Sequence, residues 1–232
     1  TVTTTDADAG TTTLTYSLSG TDADDFTITK TGEAQNGVIT FDAAPDFETK
    51  TAYSLNVLVS DGTTTTTEAI VVNITNVNEA PVIGSSSTFS QPENTIEEFT
   101  VAATDVDASS SIVYSISGGT DGARFQINTS TGVLQFSGFI PNFEAPLFSV
   151  DNDYEVEVTA SDGSLTTSQT ITFTVTDVNE APALTVNTPY SVAEGTTAVG
   201  TVTTTDGDAG TTTFTYSLSG TDADDFTITK TG

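Results

Sequence analysis

Apolar residues recur at every second position along much of this chain, the period that puts alternate side chains on opposite faces of a half-buried strand. The pattern predicts strands over 13–19, 38–41, 53–59 and 69–74, then over 99–103, 112–117, 125–127, 133–136, 154–159 and 170–175. These segments are rich in Thr, Val, Ile, Tyr and Phe, which fit a pleated surface. Turn residues punctuate them, as at Gly118-Gly119, Thr131-Gly132 and Asp162-Gly163. No stretch carries a helical period with caps. Short strands at regular spacing over about 100 residues read as an antiparallel Greek-key sandwich. Thr-rich faces suit solvent, and Phe26, Phe41, Phe47, Tyr53, Phe125 and Tyr154 are expected core rings.

The strand pattern repeats. Residues 1–32 return at 201–232 with two changes, Ala7 to Gly207 and Leu14 to Phe214. Inside that long period lies one of half the length. The turn Ser-Asp-Gly stands at 60–62 and 161–163, and Val-Asn-Glu-Ala-Pro at 77–81 and 178–182, both 101 residues apart. A Thr-Asp-x-Asp pattern recurs at Asp6/Asp8, Asp105/Asp107 and Asp206/Asp208. We expect three modules, 1–81, 82–182 and 183–232, the outer two partial, in a segment of a longer tandem array.

Composition narrows the chemistry. Among 232 residues there are 32 Asp and Glu against 4 Lys and Arg, a net charge of −28, with no Cys and no His. Such a surface repels polyphosphate and anionic membranes, so nucleic acid and membrane insertion are not expected partners. Disulfides, zinc or haem ligation, thiol nucleophiles and His-based acid–base catalysis lack their residues. Carboxylate chemistry and hard cations remain. A two-carboxylate glycosidase needs no His, but the carboxylates recur at matching places and no pair is distinct, so the chain is read as a non-enzyme. The clusters Asp22/Asp24/Asp25, Asp222/Asp224/Asp225 and Asp151/Asp153 read as solvated loops, since Asp is a common turn former.

The remaining acidic residues fall between the expected strands, at sandwich ends. The second module carries Pro-Glu-Asn at 92–94, Asp-Val-Asp at 105–107, Asn-Phe-Glu at 142–144, Ser-Asp at 161–162 and Asp-Val-Asn-Glu-Ala-Pro at 177–182. The first carries Asp-Phe-Glu at 46–48, Asp61 and Asn-Val-Asn-Glu-Ala-Pro at 76–81; the third carries Glu194 and Asp-Gly-Asp at 206–208. This ordered set resembles the calcium-binding signature of cadherin repeats, and the Asn-Glu-Ala-Pro linkers and Thr-rich strands resemble bacterial members found in large secreted adhesins. The resemblance implies tandem, seven-stranded, Ig-like β-sandwiches of the cadherin type, arranged end to end, with Ca²⁺ held where modules meet.

Carried over residue by residue, the resemblance gives a first junction of Asp46, Glu48, Asn76, the Val77 carbonyl, Asn78, Glu79, the Ala80 carbonyl, Asp105, Asp107 and Asp162. The second takes Glu93, Asn142, Glu144, Asp177, Val178, Asn179, Glu180, Ala181, Asp206 and Asp208. Asp6, Asp8 and Asp61 would face a preceding module. Asn76 stands where the family linker has Asp, and Asn142 replaces the Asp of Asp-x-Glu, so fewer or weaker ions are expected there. Oxygen-only sets with several carboxylates suit Ca²⁺ better than Mg²⁺. The expected function is an extracellular, calcium-rigidified extender or filament segment of a repetitive bacterial adhesin or surface fibre. Its partners would be neighbouring modules and like chains. The alternative is a calcium-dependent module recognising polysaccharide or a like chain.

Overall fold

A computed structural model describes residues 1–5, 13–31, 36–107, 111–208 and 213–230. The chain divides into two compact units, one of Thr1–Glu79 with Asp105–Ser110, the other of Ala80–Thr104 with Ser111–Gly232. The Asp6/Asp8 pair lies outside the described residues.

In the first unit the strands are β1 (Thr15–Ser19), β2 (Phe26–Thr31), β3 (Asn36–Phe41), β4 (Ala52–Ser60) and β5 (Thr65–Asn73). Strict alternation along β4 buries Tyr53, Leu55 and Val57. Antiparallel pairing gives the order β1-β4-β5, with Tyr16 opposite Val59 and Leu55 opposite Ile70. β2 and β3 form a separate ribbon in which Phe26 faces Phe41. Phe26 meets the edge of Tyr53 at 5.6 Å between ring centres, joining the two layers. Phe47, an expected core ring, is only half-buried and stands outside this cluster.

The second unit adds β6 (Val82–Ile83), β7 (Thr88–Pro92), β8 (Phe99–Thr100), β9 (Ala103–Thr104), β10 (Val113–Gly118), β11 (Phe125–Ile127), β12 (Val133–Phe136), β13 (Asp153–Ser161), β14 (Thr166–Thr176), β15 (Ala183–Thr185) and β16 (Thr203–Thr205). One sheet runs β10-β13-β14-β7 and a second β11-β12-β8, with short ribbons β6-β9 and β15-β16. Val156, Val158, Ile171 and Phe173 fill the space between the sheets from β13 and β14. Phe125 and Phe136 stack at 4.7 Å between centres, and Tyr154 meets Phe136 edge-on at 5.0 Å.

The structure departs from the pattern reading in several places, adding the unexpected strands β2, β6, β15 and β16. The fold is all-β and of the expected sandwich type, but β7 runs parallel to β14, Thr88 opposite Thr172 through Pro92 opposite Thr176. The strand β7 was not expected because its buried inward residue is Gln91, whose amide donates to the Thr95 carbonyl at 3.0 Å. The run 99–103 is not one strand. Phe99–Thr100 pairs with β12 and Ala103–Thr104 with β6, while between them Val101 donates its N–H to the Gly132 carbonyl.

That last contact makes a turn glycine essential. Gly132 has φ +71°, and a Cβ there would lie 2.3 Å from the Val101 carbonyl oxygen. Gly163 has φ +98° but opens onto empty space. Gly132→Ala is therefore expected to cost more stability than Gly163→Ala. The latter loses only the backbone term, on the order of 1 kcal/mol. Urea unfolding of the two variants checks the order.

Candidate metal centres

Both Asp-x-Asp loops fold on themselves in the same way. Asp105 accepts the Asp107 amide at 2.9 Å, and Asp206 accepts the Asp208 amide at 3.2 Å. The second Asp of each pair then takes the amide of a linker glutamate. Glu79 N–H donates to Asp107 at 2.9 Å, and Glu180 N–H donates to Asp208 at 3.1 Å. Asn78 and Asn179 donate to the Glu79 and Glu180 carbonyls. Bonds from backbone N–H groups to carboxylates thus shape both cradles, some within a loop and some joining segments 28 residues apart in sequence.

In the first cradle, Glu48, Glu79 and Asp107 each bring a carboxylate oxygen within 4.8 Å of the others. Asp107 is buried. Asn76 donates its side-chain N–H to Asp107 at 2.8 Å. Asp105 Oδ2 is buried with no hydrogen-bond partner among the described residues.

The second cradle holds two such triads that share one residue, Glu93/Glu144/Glu180 and Glu144/Asp177/Asp208. Glu93, 1% exposed, accepts the Val178 amide at 3.0 Å and the Phe143 amide at 2.9 Å. Glu144 Oε1 and Glu180 Oε2 are buried and without partners among the described residues. An ideal Cβ at Gly207 would stand 3.5 Å from Glu180 Oε2, so glycine leaves room beside this oxygen.

Crowding shows in the acidities. Burial, then repulsion from Glu48, Asp107, Asp46 and Asp105, raises the Glu79 carboxyl above its usual range. Glu144 is raised by burial and by Glu93, Asp177 and Asp208; Glu180 by burial and by Glu93, Glu144 and Asp208. Asp208 is raised by burial first and also by Asp206 and Asp177. Elsewhere Asp22 is lowered by its hydrogen bond from Lys50, and Asp46 and Asp61 by amides of their own turns.

These directions give an expected pH profile for the ion-free chain. Carboxyls with raised values favour the folded state while protonated, and that contribution fades as pH rises through their folded values. Carboxyls with lowered values contribute above the ordinary range and fail as pH falls through theirs. Melting temperature in chelator should therefore rise as pH drops from neutral towards the ordinary carboxylate range, then fall at stronger acid. A monotonic fall from pH 7 downward would contradict this balance.

The sequence-derived residues do not all converge. Asp46 accepts the N–H and hydroxyl of Thr49 and stands close enough to Glu79 to help raise its carboxyl. Asp162 Oδ1 accepts the Ser164 and Leu165 amides, each at 2.6 Å, and Asp61 does the same for Thr63 and Thr64. Asn142 Oδ1 accepts the Ala145 amide. Asp22 is not a solvated loop residue: its carboxylate is paired with Lys50 at 2.6 Å and accepts the Ser54 amide. Glu194 is exposed. Of the linker backbone positions, Val178 is held through its N–H. One residue that pattern reading passed over is Asn94. It sits at φ +57° and donates to both Glu180, at 2.6 Å, and Glu93, at 3.2 Å. Its signal was the Pro-Glu-Asn string, read only for its Glu.

Residues 87–176 match the model of the cadherin domain. Human Protocadherin Fat 4 is 33% identical over 189 residues, covering 78% of this chain and 4% of that protein. The Mus musculus Cadherin EGF LAG seven-pass G-type receptor 2 is 33% identical over 216 residues, covering 84% of this chain and 7% of the receptor. The chain thus spans a small fraction of these relatives. The crystal structure of the Protocadherin GammaB4 extracellular domain superposes with a TM-score of 0.54 at 26% identity, over 89% of this chain and 34% of that one. These relatives are animal proteins and lend no support to the bacterial affiliation. No described helix is long and apolar enough to cross a membrane. Residues 87–176 belong to the cadherin domain family, and the chain carries the β-sandwich fold of these extracellular adhesion-type modules.

Proposed function

We propose that this chain is a calcium-rigidified segment of a repetitive extracellular adhesin or surface fibre. Cadherin domains as a family bind calcium. What carries the reading for this chain is the set of buried carboxylate oxygens without partners among the described residues: Glu144 and Glu180 within converging triads, and Asp105 beside Asp107 of the first cradle. A buried acceptor without a donor costs free energy, and a hard divalent cation satisfies several at once. The donor set fits Ca²⁺: several carboxylates that converge with no nitrogen or sulfur ligand among them, and no Cβ at Gly207 beside Glu180 Oε2.

The chain's own residues would do the following. Glu48, Glu79 and Asp107 would hold one ion. Glu144 would be shared between two more, with Glu93 and Glu180 on one side and Asp177 and Asp208 on the other. Bound ions would supply positive charge that 4 Lys and Arg against 32 Asp and Glu do not; of the basic residues, Lys50 is paired with Asp22 and Arg124 lies over the Phe148 ring. Each set ties a loop before a Val-Asn-Glu-Ala-Pro string to an Asp-x-Asp loop after it, so ions that bind only the joined arrangement stabilise it by mass action. With module limits at 81 and 182, the outcome is a stiffened row of sandwiches. The bacterial setting rests on the Asn-Glu-Ala-Pro linkers and Thr-rich strands alone.

Small-angle scattering of the chain with calcium and then with chelator tests the proposal. Calcium should increase the maximum dimension and reduce flexibility. Identical profiles in both conditions would overturn the extender mechanism. Titration calorimetry in parallel should show dissociation constants of about 0.1–1 mM, the range of extracellular modules.

A further inference from the structure

We infer that Asn152 is a positioning residue for the second cradle, fixing the Phe143 peptide so that Glu144 meets Glu93 and Glu180. The inference rests on the calcium reading above and names a residue outside every candidate ligand motif.

Asn152 is 8% exposed and sits at φ +63°, the left-handed region where Asn is among the few tolerated residues. Its backbone carbonyl accepts the Val175 amide at 2.9 Å, which anchors it to the end of β14. Its side-chain N–H donates to the Phe143 carbonyl at 3.0 Å. The same residue's N–H donates to Glu93 at 2.9 Å. Phe143 is therefore gripped at both of its backbone polar groups, and the next residue is Glu144, the carboxylate common to both triads. Glu93 passes the restraint on to the linker through Val178 N–H.

The other amide atom adds a second observation. Asn152 Oδ1 is buried with no partner among the described residues. A buried acceptor left unsatisfied is costly, and rotating the amide would put the N–H where Oδ1 is and forfeit the bond to Phe143. The amide is thus held for its donor. Among the described residues the first unit has no counterpart: its chain runs from Glu48 to Tyr53 in five residues, whereas Glu144 to Tyr154 takes ten.

Partners that orient metal ligands from behind typically change affinity about 10–100-fold when lost. Calcium titration of Asn152→Gly and Asn152→Asp, both made in a Glu48→Ala background that silences the first cradle, tests the role. Gly keeps the left-handed backbone without the amide; Asp keeps the shape without the N–H. Both should bind calcium about tenfold more weakly than the background chain. Ser149→Ala removes the loop's own bonds to Asp151 and the Asp153 carbonyl but leaves Phe143 untouched. It should bind as the background does.

Unchanged affinity in the Gly and Asp variants overturns the assignment. So does an equal loss in Ser149→Ala, which would mean that the loop matters only as a whole. If the background chain takes up no calcium at all, the calcium reading fails instead. Hydrogen exchange in chelator then still decides the positioning role, because the Phe143 amide should exchange faster in Asn152→Gly, and unchanged exchange overturns it.

Discussion

Glu144→Ala is expected to abolish calcium binding throughout the second cradle while leaving the first intact. Glu144 is the residue common to both triads there, so its removal strips a ligand from each at once. Glu48→Ala, the matching change in the first cradle, touches a single triad. For the unaltered chain, ions at 10 mM and dissociation constants of about 0.1–1 mM correspond to roughly 1.4–2.7 kcal/mol of stabilisation per site. That is several degrees in melting temperature for a domain of this size. The second-cradle share of the calcium-induced shift should vanish in Glu144→Ala. The variant should nonetheless fold in chelator, since the ion-free chain loses a repelling carboxylate there. Retention of the full shift would show that the shared position is not a ligand.

The second large effect concerns a difference between the cradles. Where the second has Asp177, the first has Asn76, and the amide of Asn76 caps Asp107 at 2.8 Å. That bond brings a neutral donor to Asp107 where the second cradle has a carboxylate. It also removes one formal charge from the ligand set. Asn76→Asp should therefore tighten calcium binding at the first cradle about tenfold, ~1.4 kcal/mol, and lower stability in chelator, where the new carboxylate faces Asp107. Asp177→Asn should do the reverse at the second cradle. Calorimetry and melting curves together read both signs. Equal affinities in Asn76→Asp and the parent chain would place Asn76 outside the site.

Much of this architecture was readable from residue order. The alternation Tyr53, Leu55, Val57 and its echo in Tyr154, Val156, Val158 mark β4 and β13, because burial of one face imposes a period of two. The Asp-x-Asp motifs were equally local: both loops close through amides two residues on, a geometry that travels with the string. Asn152 was not legible, since its importance comes from a backbone carbonyl nine residues away and only the folded loop brings the two together. Nor was the fate of Asp46 and Asp162. A motif shows that a carboxylate is present, but not that the Thr49 hydroxyl or the Ser164 and Leu165 amides also bond to it. The buried Gln91 hid β7 for a related reason, as its polarity is cancelled by a bond that spacing does not reveal.

The parallel pairing of β7 with β14 has a mechanical consequence. Chain entering at Thr88 and chain leaving at Thr176 lie at opposite ends of the same pair of neighbouring strands. Tension applied along the array would load those backbone bonds sideways and together, in shear, rather than peeling them one by one as in a hairpin pulled from its open end. Single-molecule stretching should accordingly show each complete sandwich yielding in one abrupt high-force event. Pro inserted at Phe89 or Gln91 should lower that force more than the same change in the Ser164 turn.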